Sequence, residues 1–182
     1  GNGPLKMYAS LKEYGKNLKP EYIIWMYDSF NDLEDLENEN NNILLQKYYD
    51  SNFKQNLKEK QNDIDKLLNK LVKEKFINDS NRKFFHTIKL YNSRRLVKKI
   101  FVKKENKNFS EQFILFKKIF ENTINLTADI DSKIIFVFFS DKSALKEKNY
   151  DDIDKKVINY IKSKNIDFIN IHAIMKKNNK FL

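Results

Sequence analysis

Two uninterrupted apolar runs constrain the fold of this chain more than any other feature. The first holds six apolar or aromatic residues in a row, at positions 22–27, and the second reads Lys-Ile-Ile-Phe-Val-Phe-Phe at Lys133–Phe139. A strand that faces solvent on one side alternates apolar and polar residues, whereas a strand inside a parallel sheet does not. The sequence therefore predicts two strands that are buried on both faces.

A third, shorter apolar segment at residues 166–171 extends this pattern. It follows a stretch with apolar residues at helical spacing: Ile153, Val157, Tyr160 and Ile161. Strands joined by a helix pair in parallel through a right-handed crossover. The sequence predicts an α/β fold with a parallel sheet, whose strands lie near residues 21–28, 133–139 and 166–171 and are adjacent in that order.

The remaining periodic segments predict helices. Pro4 suits a first helical position, and an apolar stripe at helical spacing follows it: Leu5, Tyr8, Leu11 and Tyr14. Residues 56–76 and 109–126 predict two amphipathic helices, and we expect the polar residues 78–81 to end the first of them. The long helical stretch between the first two strands is interpreted as an insertion or an extended crossover.

The composition argues against several classes of function. The chain of 182 residues has 35 Lys and Arg against 25 Asp and Glu, but only three arginines. Lysines alternate with Asn, Glu and Asp along the whole length, so we do not expect a nucleic-acid partner. Without cysteine there is no thiolate metal site, and no metal-ligand spacing or phosphate loop predicts a metal or a cofactor. No apolar run reaches the roughly 20 residues of a membrane span.

Polar residues directly after the first predicted strand are the first candidates for chemistry. Asn31 and Asp32 follow the strand, at the end where open α/β sheets bind their ligands. An asparagine amide there could donate an N–H group to a developing negative charge. Alternatively, Asn31 caps the acidic helix that begins near Leu33. The residues alone leave both interpretations open.

Three further residues also have both a functional and a structural interpretation. The glycines Gly1 and Gly3 could bring backbone N–H groups close to a ligand at the first helix start, or they form a plain turn. His172 lies at the carboxyl end of the third predicted strand. It could take part in chemistry, support another site residue, or cap the helix that follows.

Several of these blocks together resemble SGNH/GDSL-type hydrolases, in particular members built like bacterial envelope-polysaccharide esterases. The blocks are, in chain order, Gly1-Asn2-Gly3-Pro4-Leu5, Asn31-Asp32-Leu33-Glu34-Asp35-Leu36, the Ile-Ile-Phe-Val-Phe-Phe strand and the strand end from Phe168 to His172. The resemblance extends over essentially the whole chain but covers only part of the family domain. It implies a flavodoxin-like three-layer α/β/α fold, here incomplete. Residues 1–182 would form a single partial domain with a helical insertion at about 43–127.

The resemblance also implies roles for individual residues. Asn31 matches the asparagine of the family's oxyanion hole, and Asp32 matches the acid beside it. Gly1 matches the glycine whose backbone N–H group completes that hole, with Gly3 as second choice. The implied substrate is an acyl ester, which includes O-acylated carbohydrate.

The chain departs from the family pattern at three places. Phe30 stands where Gly-Asn-Asp members have glycine, no Gly-Asp-Ser occurs, and Ile169 rather than aspartate lies three residues before His172. The nucleophile and the catalytic histidine blocks are therefore absent, which predicts that the chain is inactive alone. It begins at Gly1 rather than methionine, so we expect the middle of a longer hydrolase or a processed chain. No compartment is predicted.

Three hypotheses follow from these observations. The chain is part of an SGNH-like serine esterase or acyltransferase, a non-catalytic α/β binding or scaffold module, or a nucleic-acid-binding domain. The first hypothesis makes a structural prediction, because the family strand that should flank residues 22–27 would precede Gly1. The strand at residues 22–27 should then be paired on one side only, and its unpaired edge should promote self-association.

Overall fold

The structure is a computed structural model that describes residues 2–29, 31–88, 109–139 and 152–177, without the side chains of residues 75–88 and Lys176. The chain divides into two compact units. One comprises Gly1–Gln55 with Asn108–Leu182, and the other comprises Asn56–Lys107. The first unit holds the sheet and all the candidate residues named above.

The first unit is a mixed α/β structure. Its strands are β1 (Tyr22–Asp28), β2 (Lys133–Phe139) and β3 (Asp167–Asn170). Its helices include α1 (Pro4–Leu18), α2 (Asp32–Asn40), the short α3 (Ile43–Gln46), α5 (Ser110–Asp129), α6 (Asp152–Lys162) and α7 (Ile171–Lys177), and a 3-10 turn covers Lys47–Tyr49. The second unit contains the long helix α4 (Gln61–Ile88).

The sheet has the predicted order and direction. β1 pairs with β2 in parallel, with Trp25 opposite Phe136, and β2 pairs with β3 in parallel, with Phe136 opposite Phe168. The observed strands lie within about one or two residues of the predicted bounds, which is the usual uncertainty of strand ends. The α/β class, the parallel sheet and the three strand positions are confirmed.

An aromatic core joins the sheet to α5. Phe116, Ile119 and Phe120 recur at helical spacing on α5 and are fully buried. Trp25 of β1 meets Phe120 edge-on, with ring centroids 5.4 Å apart, and Phe120 meets Phe136 of β2 at 5.3 Å. Aromatic pairs in this geometry contribute about 0.5–1.5 kcal/mol beyond their buried area, so this contact fixes α5 on one face of the sheet.

The prediction that β1 is buried on both faces is wrong. Trp25 and Tyr27 are buried, but Ile24 and Met26 on the opposite face are exposed by 63% and 53%. β2 is covered more completely, since Ile134, Phe136 and Phe138 are buried on one face, but on the other face only Val137 is buried and Ile135 and Phe139 are partly exposed. An apolar run reports hydrophobicity and β propensity, but it does not say which neighbours cover each face. In the part of the chain that the structure describes, β1 lies at the edge of the sheet.

The expected end of the long helix at residues 78–81 is also wrong, because α4 continues through these positions to Ile88. Asn, Asp and Ser are weak helix formers that cost only a few tenths of a kcal/mol each relative to better ones. Without Gly or Pro, four such residues do not stop a helix. Among the described helices, including α4, none combines the length and apolarity needed to cross a membrane.

The outer edge of β1 leads to a prediction about association. No strand among the described residues pairs along that edge, and the neighbouring face exposes Ile24 and Met26. Exposed apolar edges promote pairing with another chain. We expect the mass of the 182-residue chain in sedimentation velocity to rise with protein concentration, and Ile24→Lys to suppress the rise.

Ile114 on α5 provides the matched control, because it is 62% exposed and lies away from the sheet edge. Ile114→Lys should therefore leave self-association unchanged. A wild-type chain that stays monomeric at high concentration, or equal effects of the two substitutions, would contradict this expectation.

Candidate functional site

The carboxyl ends of the three strands lie along one edge of the sheet. Asn31 and Asp32 follow β1, and His172 follows β3. β2 lies between these strands, so the ends of β1 and β3 are about 10 Å apart at the usual strand spacing. Ser140, which follows β2, and Phe30 lie outside the described residues. The sheet thus brings Asn31 and His172 to one edge but not into adjacent positions.

Asn31 occupies the N-cap position of α2, but its side chain makes no capping hydrogen bond. Instead, Nδ2 of Asn31 donates to Oδ2 of Asp35 over 3.2 Å. The side-chain oxygen Oδ1 is buried and has no hydrogen-bond partner among the described residues. A carboxamide has two N–H donors and one acceptor oxygen, so Asp35 uses only one of these donors. Among the described residues, one contact holds the amide, and a donor and an acceptor are left for another group.

Asp32 stabilises the turn between β1 and α2. Its carboxylate oxygen Oδ2 accepts a hydrogen bond of 3.0 Å from the backbone N–H group of Asp28. The side chain is 5% exposed, and this burial raises its pKa to about 7. The negative charges of Asp28, Asp35 and Glu39 contribute to this rise in the pKa, while the hydrogen bond from Asp28 opposes it. Asp32 therefore orders the backbone that leads to Asn31.

The N-terminus of α1 already holds an anion from within the chain. Oε1 of Glu39 accepts from the backbone N–H of Gly3 at 2.7 Å, and Oε2 accepts from Leu5 at 2.9 Å and from Lys6 at 3.3 Å. A carboxylate at this position satisfies helix N–H groups and complements the helix dipole. The N–H group of Gly3 is thus engaged, and Gly1 lies outside the described residues.

Gly3 is required there for packing. A Cβ atom at this position would lie 2.8 Å from Cβ of Asp35 and 2.8 Å from Oε2 of Glu39. The glycine therefore permits α2 to approach α1 closely enough for Glu39 to reach the helix terminus. Sequence reasoning missed Glu39, although its spacing from Asp32 and Asp35 places all three acids on one face of α2.

His172 is 3% exposed and lies in the first turn of α7. The cap of this helix comes from another residue, since Oδ1 of Asn170 accepts from the N–H group of Ala173 at 2.9 Å. The role of His172 itself stays a prediction. Among the described residues, no group of three or more His, Cys, Asp or Glu side chains could hold a metal ion.

Comparisons with models of protein families, with curated proteins and with solved structures found no match to this chain. The chemistry of the site must therefore be inferred from its geometry. The described residues provide a carboxamide held by a carboxylate at a strand end, with a spare donor. This arrangement can stabilise a negatively charged oxygen, but the described residues at this edge supply no nucleophile hydrogen-bonded to a base.

Proposed function

We propose that this chain is part of an SGNH/GDSL-like serine esterase or acyltransferase that acts on acyl esters, including O-acylated carbohydrate. In this proposal Asn31 donates an N–H group to the oxyanion that forms when the ester carbonyl is attacked. The observation that carries the proposal is the hydrogen bonding of the Asn31 amide: Asp35 orients it through one N–H group, and no other described residue accepts from it.

The fold offers a second line of support. β1 is parallel to β2 and pairs on one side only within the described residues, which leaves room for a further strand beside Asn31. In the family that the chain resembles, the strand that carries the nucleophile would lie on this unpaired side of β1. A ligand position at the carboxyl end of a parallel strand is the usual one in open α/β sheets.

The nucleophile must come from residues other than these 182, which contain no Gly-Asp-Ser. We expect that block within about 40 residues upstream of Gly1 in the reading frame, the scale of one βα unit. The 182-residue chain should not hydrolyse p-nitrophenyl acetate above a denatured-protein control, because its sequence lacks the Gly-Asp-Ser block that would supply the nucleophile. Activity that a single Ser→Ala substitution abolishes would contradict this expectation.

Substitution of Asn31 in the protein translated from the whole reading frame tests the proposed role. We expect Asn31→Ala to lower kcat for p-nitrophenyl acetate about 10²–10³-fold with a small change in KM, because the donor acts mainly in the transition state. The matched control is Asn38→Ala, since Asn38 is an exposed asparagine on the same helix whose Nδ2 donates to the carbonyl oxygen of Glu34. Equal kcat values for the two variants would remove Asn31 from the mechanism.

A second candidate is a non-catalytic α/β binding or scaffold module that kept the fold without the chemistry. The engagement of the Gly3 N–H group by Glu39 favours it, because that N–H group is then not free for an oxyanion. Under this hypothesis the reading frame contains no Gly-Asp-Ser, and its product shows no esterase activity. The same measurements therefore separate the two candidates.

A further inference from the structure

A lysine-rich cleft of about 340 Å³ lies between α1, the C-terminal half of α5 and the segment at residues 51–54. Its charged residues are Lys12, Lys16, Lys54 and Asp129, so three positive charges face one negative charge. Lys12 and Lys16 are four residues apart on α1 and therefore share one face of that helix. A cleft with this charge attracts anions.

Lys12 is the unusual member of the cleft, because a lysine is seldom buried. Its side chain is 4% exposed, and Nζ donates to the backbone carbonyl oxygen of Asp50 at 2.6 Å. Nζ also lies 5.7 Å from the ring centroid of Tyr8 and 5.8 Å from that of Tyr48. An ammonium group has three N–H donors, and the carbonyl oxygen takes one of them. The aromatic rings provide only weaker cation–π contacts for the rest.

Burial lowers the pKa of Lys12, and the positive charge of Lys54 lowers it further. The charges of Asp50 and Glu13 act in the opposite direction. A buried ammonium group with another lysine nearby is electrostatically costly unless a negative group comes close. Asp50 and Glu13 supply part of that negative charge, and an anion in the cleft would supply more.

The dipole of α1 explains the position of only one of the three lysines. Lys16 lies in the last turn of α1, where a positive charge complements the helix dipole. Lys12 lies one turn earlier and is buried, and Lys54 belongs to a separate segment, so neither is explained in this way. The convergence of three lysines from two elements on one cleft therefore calls for a further reason.

The other residues lining the cleft suit the uncharged part of a small molecule. Asn122 and Asn125 provide carboxamides and Ser51 provides a hydroxyl group, while Leu126 and Ile130 add apolar surface. Lysine ammonium groups bind phosphate and carboxylate groups as point charges. Amide and hydroxyl groups hydrogen-bond to sugar-like hydroxyl groups.

We propose that this cleft binds a small polyhydroxylated anion, whose phosphate or carboxylate group lies against Lys12, Lys16 and Lys54. The cleft is distinct from the Asn31 site. α1 leads to the start of β1 and α5 leads to the start of β2, so the cleft lies toward the amino ends of the strands, whereas Asn31 follows a carboxyl end. The inference does not rest on the proposed esterase function.

Isothermal titration calorimetry of the 182-residue chain at low ionic strength tests the proposal, with glucose 6-phosphate, glucuronate and neutral glucose as probes. At least one of the two anions should bind with a Kd of about 1 mM or tighter, while glucose should not bind. Preference for glucose 6-phosphate would identify the phosphate group as the ligand, and preference for glucuronate would identify the carboxylate group. Affinity should fall as salt is added, because the contacts are between charges.

Exposed lysines provide variants that should preserve the fold. The double substitution Lys16→Gln with Lys54→Gln should weaken binding of the preferred anion about tenfold or more. Lys156→Gln, at an exposed lysine of α6 outside the cleft, is the matched control and should bind as the wild type does. Absence of binding by both anions up to about 10 mM would overturn the proposal. Unchanged affinity in the double variant, or equal binding of glucose, would also overturn it.

Discussion

Replacement of Glu39 by alanine should lower the free energy of unfolding by about 3–4 kcal/mol. The carboxylate of Glu39 accepts from the N–H groups of Gly3, Leu5 and Lys6 and is buried between α1 and α2. Alanine would leave the donors of Gly3 and Leu5 buried and unpaired, and each costs about 1–3 kcal/mol. Denaturation in urea, followed by far-UV circular dichroism, measures the loss.

Two variants separate the capping contact from general effects on α2. Glu37→Ala removes an exposed acid from the same helix and should change the free energy of unfolding by about 0.5 kcal/mol or less. Glu39→Gln keeps one acceptor oxygen and should give an intermediate loss. A loss for Glu39→Ala no larger than that for Glu37→Ala would show that Glu39 does not hold the start of α1.

The second large effect concerns pH and Asp32. The pKa of Asp32 is raised from 3.8 to about 7 in the folded protein, so between these values the folded state binds the proton and the unfolded state does not. The folded state binds more protons in this range, and stability therefore falls as the pH rises from about 4 to about 7. A shift of this size corresponds to as much as about 4 kcal/mol.

Asp32→Asn removes the titration while keeping an oxygen that can accept from the N–H group of Asp28. The difference in unfolding free energy between variant and wild type should therefore grow in favour of the variant between about pH 4 and about pH 8, by up to about 4 kcal/mol. Urea denaturation at a series of pH values measures this difference. A difference that stays constant with pH, or that grows in favour of the wild type, would contradict the raised pKa.

The sequence was sufficient for the strands and their order. Apolar runs joined by helices allow few arrangements, and right-handed crossovers place β1, β2 and β3 side by side in parallel. Pro4 likewise marked the start of α1, because proline is compatible with a first helical position. These features depend on local residues and on general rules of chain geometry.

Features that depend on tertiary neighbours could not be predicted. Ile24 and Met26 belong to the same apolar run as Trp25, and their exposure depends on which elements cover each face of the sheet. The continuation of α4 through residues 78–81 was missed because no single weak helix former there stops a helix. Glu39 and Lys12 resemble ordinary surface charges in the sequence, and their burial is visible only once the helices are packed.

The place of Asn31 and Asp32 in the fold was predicted, but their contacts were not. Asn31 and Asp32 lie at the carboxyl end of a strand, as the pattern indicated. The hydrogen bond from Asn31 to Asp35 joins the N-cap position of α2 to a residue four positions along the same helix, and it requires α2 to begin at Asp32. Whether Asn31 acts on a substrate remains the central hypothesis.

The most direct measurement of that hypothesis uses the whole reading-frame protein treated with diethyl p-nitrophenyl phosphate. Attack by the nucleophilic serine releases p-nitrophenolate and leaves a phosphorylated serine whose tetrahedral geometry resembles the intermediate of ester hydrolysis. A crystal structure of this adduct should place a phosphoryl oxygen about 3 Å from Nδ2 of Asn31. A phosphoryl oxygen bound by other donors, with Nδ2 of Asn31 more than about 4 Å away, would contradict the proposed role.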